Sequence, residues 1–318
     1  MLDFPVVDAH HHLWDLQACH YPWLMARGVR RFFGDPTPIQ KDYLVADLLH
    51  DAAAVPLTAS VHVQVGVADG EELRESRWLQ QVADAADNPL GLPNAIVAAS
   101  DLADPALEAG LNEQRGCANL RGLRQIVGRA PHDPQQARSD ALIDDPAWQA
   151  GLARLAAQDL SFDLQMIPAQ ALRLARVLAR VPQLRVAVCH CGSPWDRTPA
   201  GFASWRDGLR ALAALPNVWC KLSGFGMFDP QWSVAGMRPV VESAIELFGP
   251  RRCMFGSNFP VEKLVMGYGE LWARYDSLTA GFDAADRRRL FGGSTREFYR
   301  LDPASNCAAA GASPPRTT

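Results

Sequence analysis

Short apolar runs punctuate the chain at about Pro5–His10, Thr58–Val65, Asn94–Ala99, Asn119–Ile126, Ser161–Met166, Arg185–His190, Asn217–Leu222 and Arg252–Gly256. Several are hydrophobic without interruption, as parallel strands covered on both faces must be, and the stretches between them are long enough for a crossover helix. Two helix starts are legible. Asp104-Pro105 and Asp145-Pro146 each put a capping carboxylate before a proline suited to a first helical turn, and Trp148, Leu152 and Leu155 then follow at helical spacing. Eight strand–helix alternations predict an α/β fold of the closed (β/α)8 TIM-barrel type, in preference to an open doubly wound sheet. No Gly-x-Gly-x-x-Gly fingerprint stands at a strand end to favour a dinucleotide fold.

The pattern predicts one barrel domain over 1–302 and a low-complexity tail over 303–318, rich in Ala, Ser, Gly and Pro and expected to be disordered. The first loop, about Asp15 to Asp42, is long and carries Tyr21, Pro22, Trp23, Phe32 and Phe33, which suits a lid over the mouth of a barrel.

Composition narrows the function classes. With 48% hydrophobic and 21% charged residues in 318, the chain can bury a large core. A net charge of −4, with no basic stripe among aromatics, argues against a nucleic-acid partner. No apolar run reaches the roughly 18 residues of a membrane span, and no signal-like segment opens the chain, so a cytoplasmic protein with no membrane partner is expected. The seven cysteines include no Cys-x-x-Cys pair; they are read as reduced packing residues.

The strongest chemical signal is Asp8-Ala9-His10-His11-His12 at the exit of the first strand. Alternation places His10 and His12 on one face, where two neutral imidazoles can polarise a carbonyl or bind a divalent metal. His190 ends the sixth strand in Val188-Cys189-His190-Cys191-Gly192, with Cys189 and Cys191 expected to point away from it. Barrel chemistry sits at these C-terminal strand ends, so the three imidazoles are expected to converge. On the second strand, Val61, Val63 and Val65 are expected to face the helices, with His62 and Gln64 facing the barrel axis. Arg124, whose planar fork suits a carboxylate or several hydroxyls, ends the fourth strand. Gln165 and Lys221 end the fifth and seventh.

Taken together, Val7-Asp8-Ala9-His10-His11-His12-Leu13-Trp14-Asp15, Tyr21-Pro22-Trp23-Leu24, Gly122-Leu123-Arg124-Gln125, Phe162-Asp163-Leu164-Gln165, Cys220-Lys221-Leu222-Ser223-Gly224, Met254-Phe255-Gly256-Ser257-Asn258-Phe259-Pro260-Val261 and Phe298-Tyr299-Arg300-Leu301 resemble the amidohydrolase superfamily. The likeness is to its group of sugar-acid lactonases and pyrone-dicarboxylate lactonase. The resemblance implies a distorted barrel in which His10, His12 and His190 surround a scissile carbonyl, with Trp14, His62, Gln64, Arg124, Gln165 and Lys221 around the substrate.

The sequence departs from that group at three points. Asn258 stands where the family usually has the carboxylate that deprotonates water, and an amide cannot accept a proton at neutral pH. The fourth strand lacks the bridging lysine of two-metal members, and Gln165 replaces a histidine that many members carry. The expectation is therefore either no required cofactor or one divalent ion, Zn²⁺ first, on His10, His12 and His190.

The leading expectation is hydrolysis of a lactone, of a sugar acid or of a small carboxylated ring, by water attack on a His-polarised carbonyl, with Asn258 placing the water. A metal-dependent decarboxylase and a non-catalytic sugar-acid-binding barrel are the alternatives, and a homo-oligomer is compatible with either.

Overall fold

The computed structural model describes residues 2–129, 133 and 135–301; the predicted 303–318 tail lies outside the described residues. Eight strands run β1 (Val6–His11), β2 (Leu57–Val63), β3 (Ala95–Ala99), β4 (Leu120–Ile126), β5 (Ser161–Gln165), β6 (Val186–Val188), β7 (Val218–Leu222) and β8 (Cys253–Phe255). They form one sheet in chain order, and every neighbouring pair is parallel. The last seam is held just beyond β8, where Asn258 N donates to the His10 carbonyl at 2.6 Å and His12 N to the Phe259 carbonyl at 2.7 Å. Gly256 lets that seam close, because a Cβ there would lie 2.7 Å from His10 Cβ and 2.8 Å from His10 N.

Alternation sorts the strand side chains into two cores. Val7, Ala9, Ala59, Val61, Val63, Ala95, Val97, Ala187, Trp219 and Met254 form one cluster drawn from six strands, a contact set available only inside the cylinder. Outside, strand residues such as Ile96, Leu123, Phe162, Leu164 and Val188 pack with helix residues such as Trp148, Leu152 and Leu155. Burying each of those large side chains contributes about 2–3 kcal/mol. The helix carrying them, Pro146–Ala157, begins where Asp145 accepts 2.8 Å from Ala147 N. The other predicted cap differs: Asp104 turns the chain by accepting from Ala106 N, and the helix starts only at Leu107.

Three orientations on the early and sixth strands correct the sequence reading. Val61 and Val63 belong to the interior cluster, so β2 presents its polar residues outward. β1 slips register between Asp8 and His11, which breaks simple alternation there. β6 ends at Val188, two residues earlier than expected, and His190, Cys191, Gly192 and Ser193 all have positive φ. That left-handed turn releases Cys189 from the alternation argument; it faces the interior beside His10 and Asp163 instead of pointing away from the site.

The long first loop forms an aromatic train. Ring centroids run Trp14–Trp23 at 6.1 Å, Trp23–Phe33 at 6.2 Å, Phe33–Phe32 at 5.0 Å, Phe32–Trp195 at 5.0 Å and Trp195–Phe228 at 4.8 Å. The loop thus reaches across to the segments that follow β6 and β7. No helix among the described residues is long and apolar enough to cross a membrane.

Candidate active site

Three imidazoles meet at the C-terminal end of the barrel. The His10 ring lies 5.2 Å from His12, edge-on, and 4.6 Å from His190. All three are buried. Burial pushes their basicity down, helped at His10 by Lys221 and at His12 by Arg124. His190 is lowered to about 3 by burial, with Arg124 and Lys221 adding to it. Each ring is therefore neutral at working pH.

The surrounding atoms distinguish the rings. His12 Nδ1 sits 2.6 Å from the Val63 carbonyl, which can only accept, so Nδ1 carries the proton and Nε2 keeps its lone pair. His190 Nδ1 lies 2.9 Å from Ser223 Oγ, and a backbone hydrogen bond to Ser223 favours the charged ring, as donation from the ring does. His10 Nε2 is buried without a partner, and its Nδ1 faces Lys221 Nζ at 3.5 Å.

Arg124 is buried beside these rings. It donates to the Gln64 carbonyl and, at 3.3 Å, to Gln165 Oε1, while its Nε has no protein partner. Asn258 is 1% exposed, has a φ of 56°, and its Nδ2 is unpartnered. A cavity between β4 and the loops after β6 and β7 is lined by Gln165, Arg129, Ser193, Trp195, Phe228 and His190, with Phe32 at its edge. His10 and His12 do not line this cavity; His10 connects to it through its ring contact with His190.

The remaining candidates surround these residues without lining the cavity; among them the His62 ring lies 6.2 Å from that of His12. Trp14 is fully buried in the first loop, where Nε1 donates 2.6 Å to the Lys41 carbonyl; it props the loop and does not line the cavity. His62 faces outward, its Nε2 3.1 Å from the Leu13 carbonyl and its ring 5.9 Å from His11. Gln64 spends its side-chain oxygen on Gly66 N at 2.6 Å and meets Arg124 only through its carbonyl. Lys221 is 0% exposed and ion-paired with Asp163 at 2.5 Å. Their placement follows from the reversed faces of β2 and from the need of an interior lysine for a buried counter-ion.

Sequence reasoning passed over Asp163, Tyr299 and Arg129. Asp163 shares the inward face of Ser161-Phe162-Asp163-Leu164-Gln165 with Gln165, but nothing in that local pattern names the lysine of β7 as its partner. Tyr299 donates to both Asp163 oxygens at 2.8 and 2.9 Å. Arg129 lies three residues past β4, where no periodicity points to it.

This geometry is that of a (β/α)8 barrel with a cluster of polar side chains gathered at the C-terminal ends of its strands. The chain belongs to the amidohydrolase family, whose model matches residues 7–301, and it is a hydrolase. It is 37% identical to protein y4mH of Sinorhizobium fredii, over 95% of this chain and all of that one. To an L-fucono-1,5-lactonase of Burkholderia multivorans it is 32% identical, over 93% of this chain and 96% of the relative. A crystal structure of an amidohydrolase from Burkholderia multivorans with bound Zn superposes with a TM-score of 0.78 at 28% identity, covering 94% of this chain and all of that one.

The donor set can be tested against such an ion. His12 and His190 have Nδ1 engaged by the protein and Nε2 available, the second-shell arrangement that ligating imidazoles adopt. Each of these two rings thus has a ring nitrogen of the kind a divalent ion takes. A second group, His10, Asp163 and Cys189, brings its donor atoms within 4.8 Å of one another, but it already encloses a cation, the Lys221 ammonium.

Proposed function

We propose that this chain hydrolyses a lactone, the ring ester of a sugar acid or of a small carboxylated ring. The observation that carries the reading is the packing of three neutral imidazoles beside the buried Arg124, in a chain similar to an L-fucono-1,5-lactonase over nearly its whole length.

In this reading the lactone carbonyl oxygen accepts hydrogen bonds from His10 and Arg124. Water adds to the carbonyl carbon and gives its proton to a bare Nε2 on His190 or His12. The carbonyl π pair moves onto oxygen, and the resulting oxyanion is held by the same donors. As the carbonyl re-forms, the ring C–O bond breaks and the imidazolium returns its proton to the departing alkoxide. The product is a hydroxy acid, which loses its carboxyl proton to solvent. A low basicity at His190 suffices because the proton is held only while the tetrahedral species lasts. Asn258 stands in the position of the usual carboxylate and can orient the water but not deprotonate it. A divalent ion held by the Nε2 atoms of His12 and His190 would supply Lewis-acid polarisation of the carbonyl and would occupy the lone pairs that those rings otherwise offer as the base.

The test is acid release, read with a pH indicator, from a panel of aldonolactones that includes L-fucono-1,5-lactone. The wild-type protein should open at least one, and His190→Ala should abolish that activity. A fully active His190→Ala removes His190 from the mechanism, and inertness toward the whole panel removes the lactonase reading. Release of carbon dioxide from a carboxylated substrate would instead mark a decarboxylase.

A further inference from the structure

Beneath the His10 ring lies a polar chain inside the barrel that no step above uses. Tyr299 OH donates to both oxygens of Asp163, Asp163 pairs with Lys221 at 2.5 Å, and Lys221 Nζ reaches His10 Nδ1 at 3.5 Å. All four residues are buried, and the Lys221 ammonium also lies 5.1 Å from the centre of the Tyr299 ring. An ammonium has hydrogens to give and no lone pair to offer. A ring nitrogen facing it must therefore be the unprotonated one, and the other nitrogen must carry the hydrogen.

We propose that the Lys221–Asp163 pair sets the tautomer of His10, so that His10 presents an Nε2–H donor to the substrate while His12 and His190 present bare Nε2 acceptors. Three histidines of one residue type are thereby divided into two chemical roles by what stands behind them. A carbonyl stands behind His12, Ser223 behind His190 and a cation behind His10. Lys221 is a positioning residue: it touches no substrate, and it orients the hydrogen that does. The buried, unpartnered His10 Nε2 is then a donor awaiting an acceptor such as a carbonyl oxygen or the oxyanion formed from it.

Asp163 gives the arrangement its sensitivity. With the ammonium removed, its carboxylate, an oxygen of which lies within 4.8 Å of a His10 ring nitrogen, would draw a hydrogen to Nδ1, turning the ring around chemically without moving it.

The role in catalysis rests on the lactonase reading, but the tautomer does not, and the two are measured separately. In protein labelled with ¹⁵N-histidine, a long-range ¹H–¹⁵N spectrum reports which nitrogen of each ring is protonated, with His10 assigned by the signal lost in His10→Gln. The wild-type protein should show His10 as Nε2–H and His12 as Nδ1–H, whatever substrate is used. A wild-type His10 with its hydrogen on Nδ1 overturns the proposal, and this result needs no folded variant.

Lys221→Met should move the His10 hydrogen to Nδ1 and lower kcat on an opened lactone by about 10²-fold, the cost of losing one oxyanion donor, with KM changed only a few-fold. Lys221→Met/Asp163→Asn should return the hydrogen to Nε2 and restore part of kcat. An unchanged tautomer in the single variant, or the same flipped ring in the double variant, refutes control by the pair. Failure of every lactone with the wild-type tautomer as stated would sink the lactonase reading alone.

Discussion

Glu262 makes the fold's dependence on pH calculable. It follows β8, is 1% exposed, and accepts from Gly226 N at 2.8 Å and Trp232 Nε1 at 3.3 Å through Oε1, while Oε2 has no partner. Burial raises its pKa from 4.5 to about 7, against the smaller opposing effects of those two donors. The folded protein thus binds this proton more tightly than the unfolded chain. The stability it contributes is complete below pH 4.5 and is lost as pH rises through about 7. A shift of that size corresponds to about 3 kcal/mol in full, of which about 2.5 kcal/mol disappears between pH 5 and pH 8.

Glu262→Gln keeps the accepting oxygen and fixes the other end neutral, so its stability should lack that component. Urea unfolding of both proteins at pH 5, 6, 7 and 8 isolates the difference. Glu75, also raised to about 7 by burial, and Asp8, raised to about 6 by burial, slope the same way in both proteins and cancel. The variant should gain on wild type by about 2–3 kcal/mol over the range. Parallel curves would show that Glu262 is already ionised without cost in the folded protein and would refute the assignment.

Two further substitutions probe the site. A Cβ at Gly224 would stand 2.6 Å from His190 Nδ1, at a backbone φ of +68° that L residues resist; Gly224→Ala should therefore displace the ring and lower kcat by about 10²-fold, read in steady-state kinetics alongside a thermal melt. Phe32 is 46% exposed and touches Trp195 at the edge of the cavity. Removing that aromatic pair in Phe32→Ala should raise KM about three- to tenfold with kcat nearly unchanged, and an unaltered KM would separate the loop from substrate binding.

Which parts were legible in sequence follows from what each signal depends on. Burial on both faces writes itself into a strand as an unbroken apolar run, and each of the eight strands overlaps its predicted segment. Facing is a weaker signal. Val61, His62 and Val63 alternate cleanly, yet alternation says only that two faces differ; the valines went inward because the barrel axis there is lined by Ala95, Val97 and Met254. The polar residues of β2 found backbone carbonyls and other loop groups outside. That His10, His12 and His190 lie at one end of the cylinder was readable from their places after strands; the turn that brings the His190 ring in was not. The Lys221–Asp163 pair was not, because it joins β5 to β7 across the interior, and no local pattern encodes a contact between residues 58 positions apart.

Two positions resist local reading for a different reason. His190 and Asn258 both adopt left-handed φ, 53° and 56°, immediately beyond short strands. Such a conformation costs about 1–2 kcal/mol for a residue with a Cβ, and β6 is followed by three such residues and one glycine in succession. The turn is held by tertiary bonds: Trp205 Nε1 donates 2.7 Å to the Cys191 carbonyl, Ser193 Oγ donates 2.7 Å to Met166 O, and Ser193 N closes on His190 O at 2.9 Å. Asn258 is pinned by its own N–H to the His10 carbonyl and by Glu262 N on its carbonyl. An extended continuation of β6 would have carried His190 onward along the sheet by alternation. The left-handed turn instead lays its ring 4.6 Å from His10. The strain at the strand ends and the meeting of the imidazoles are therefore one feature, and the packing of the barrel stabilises both.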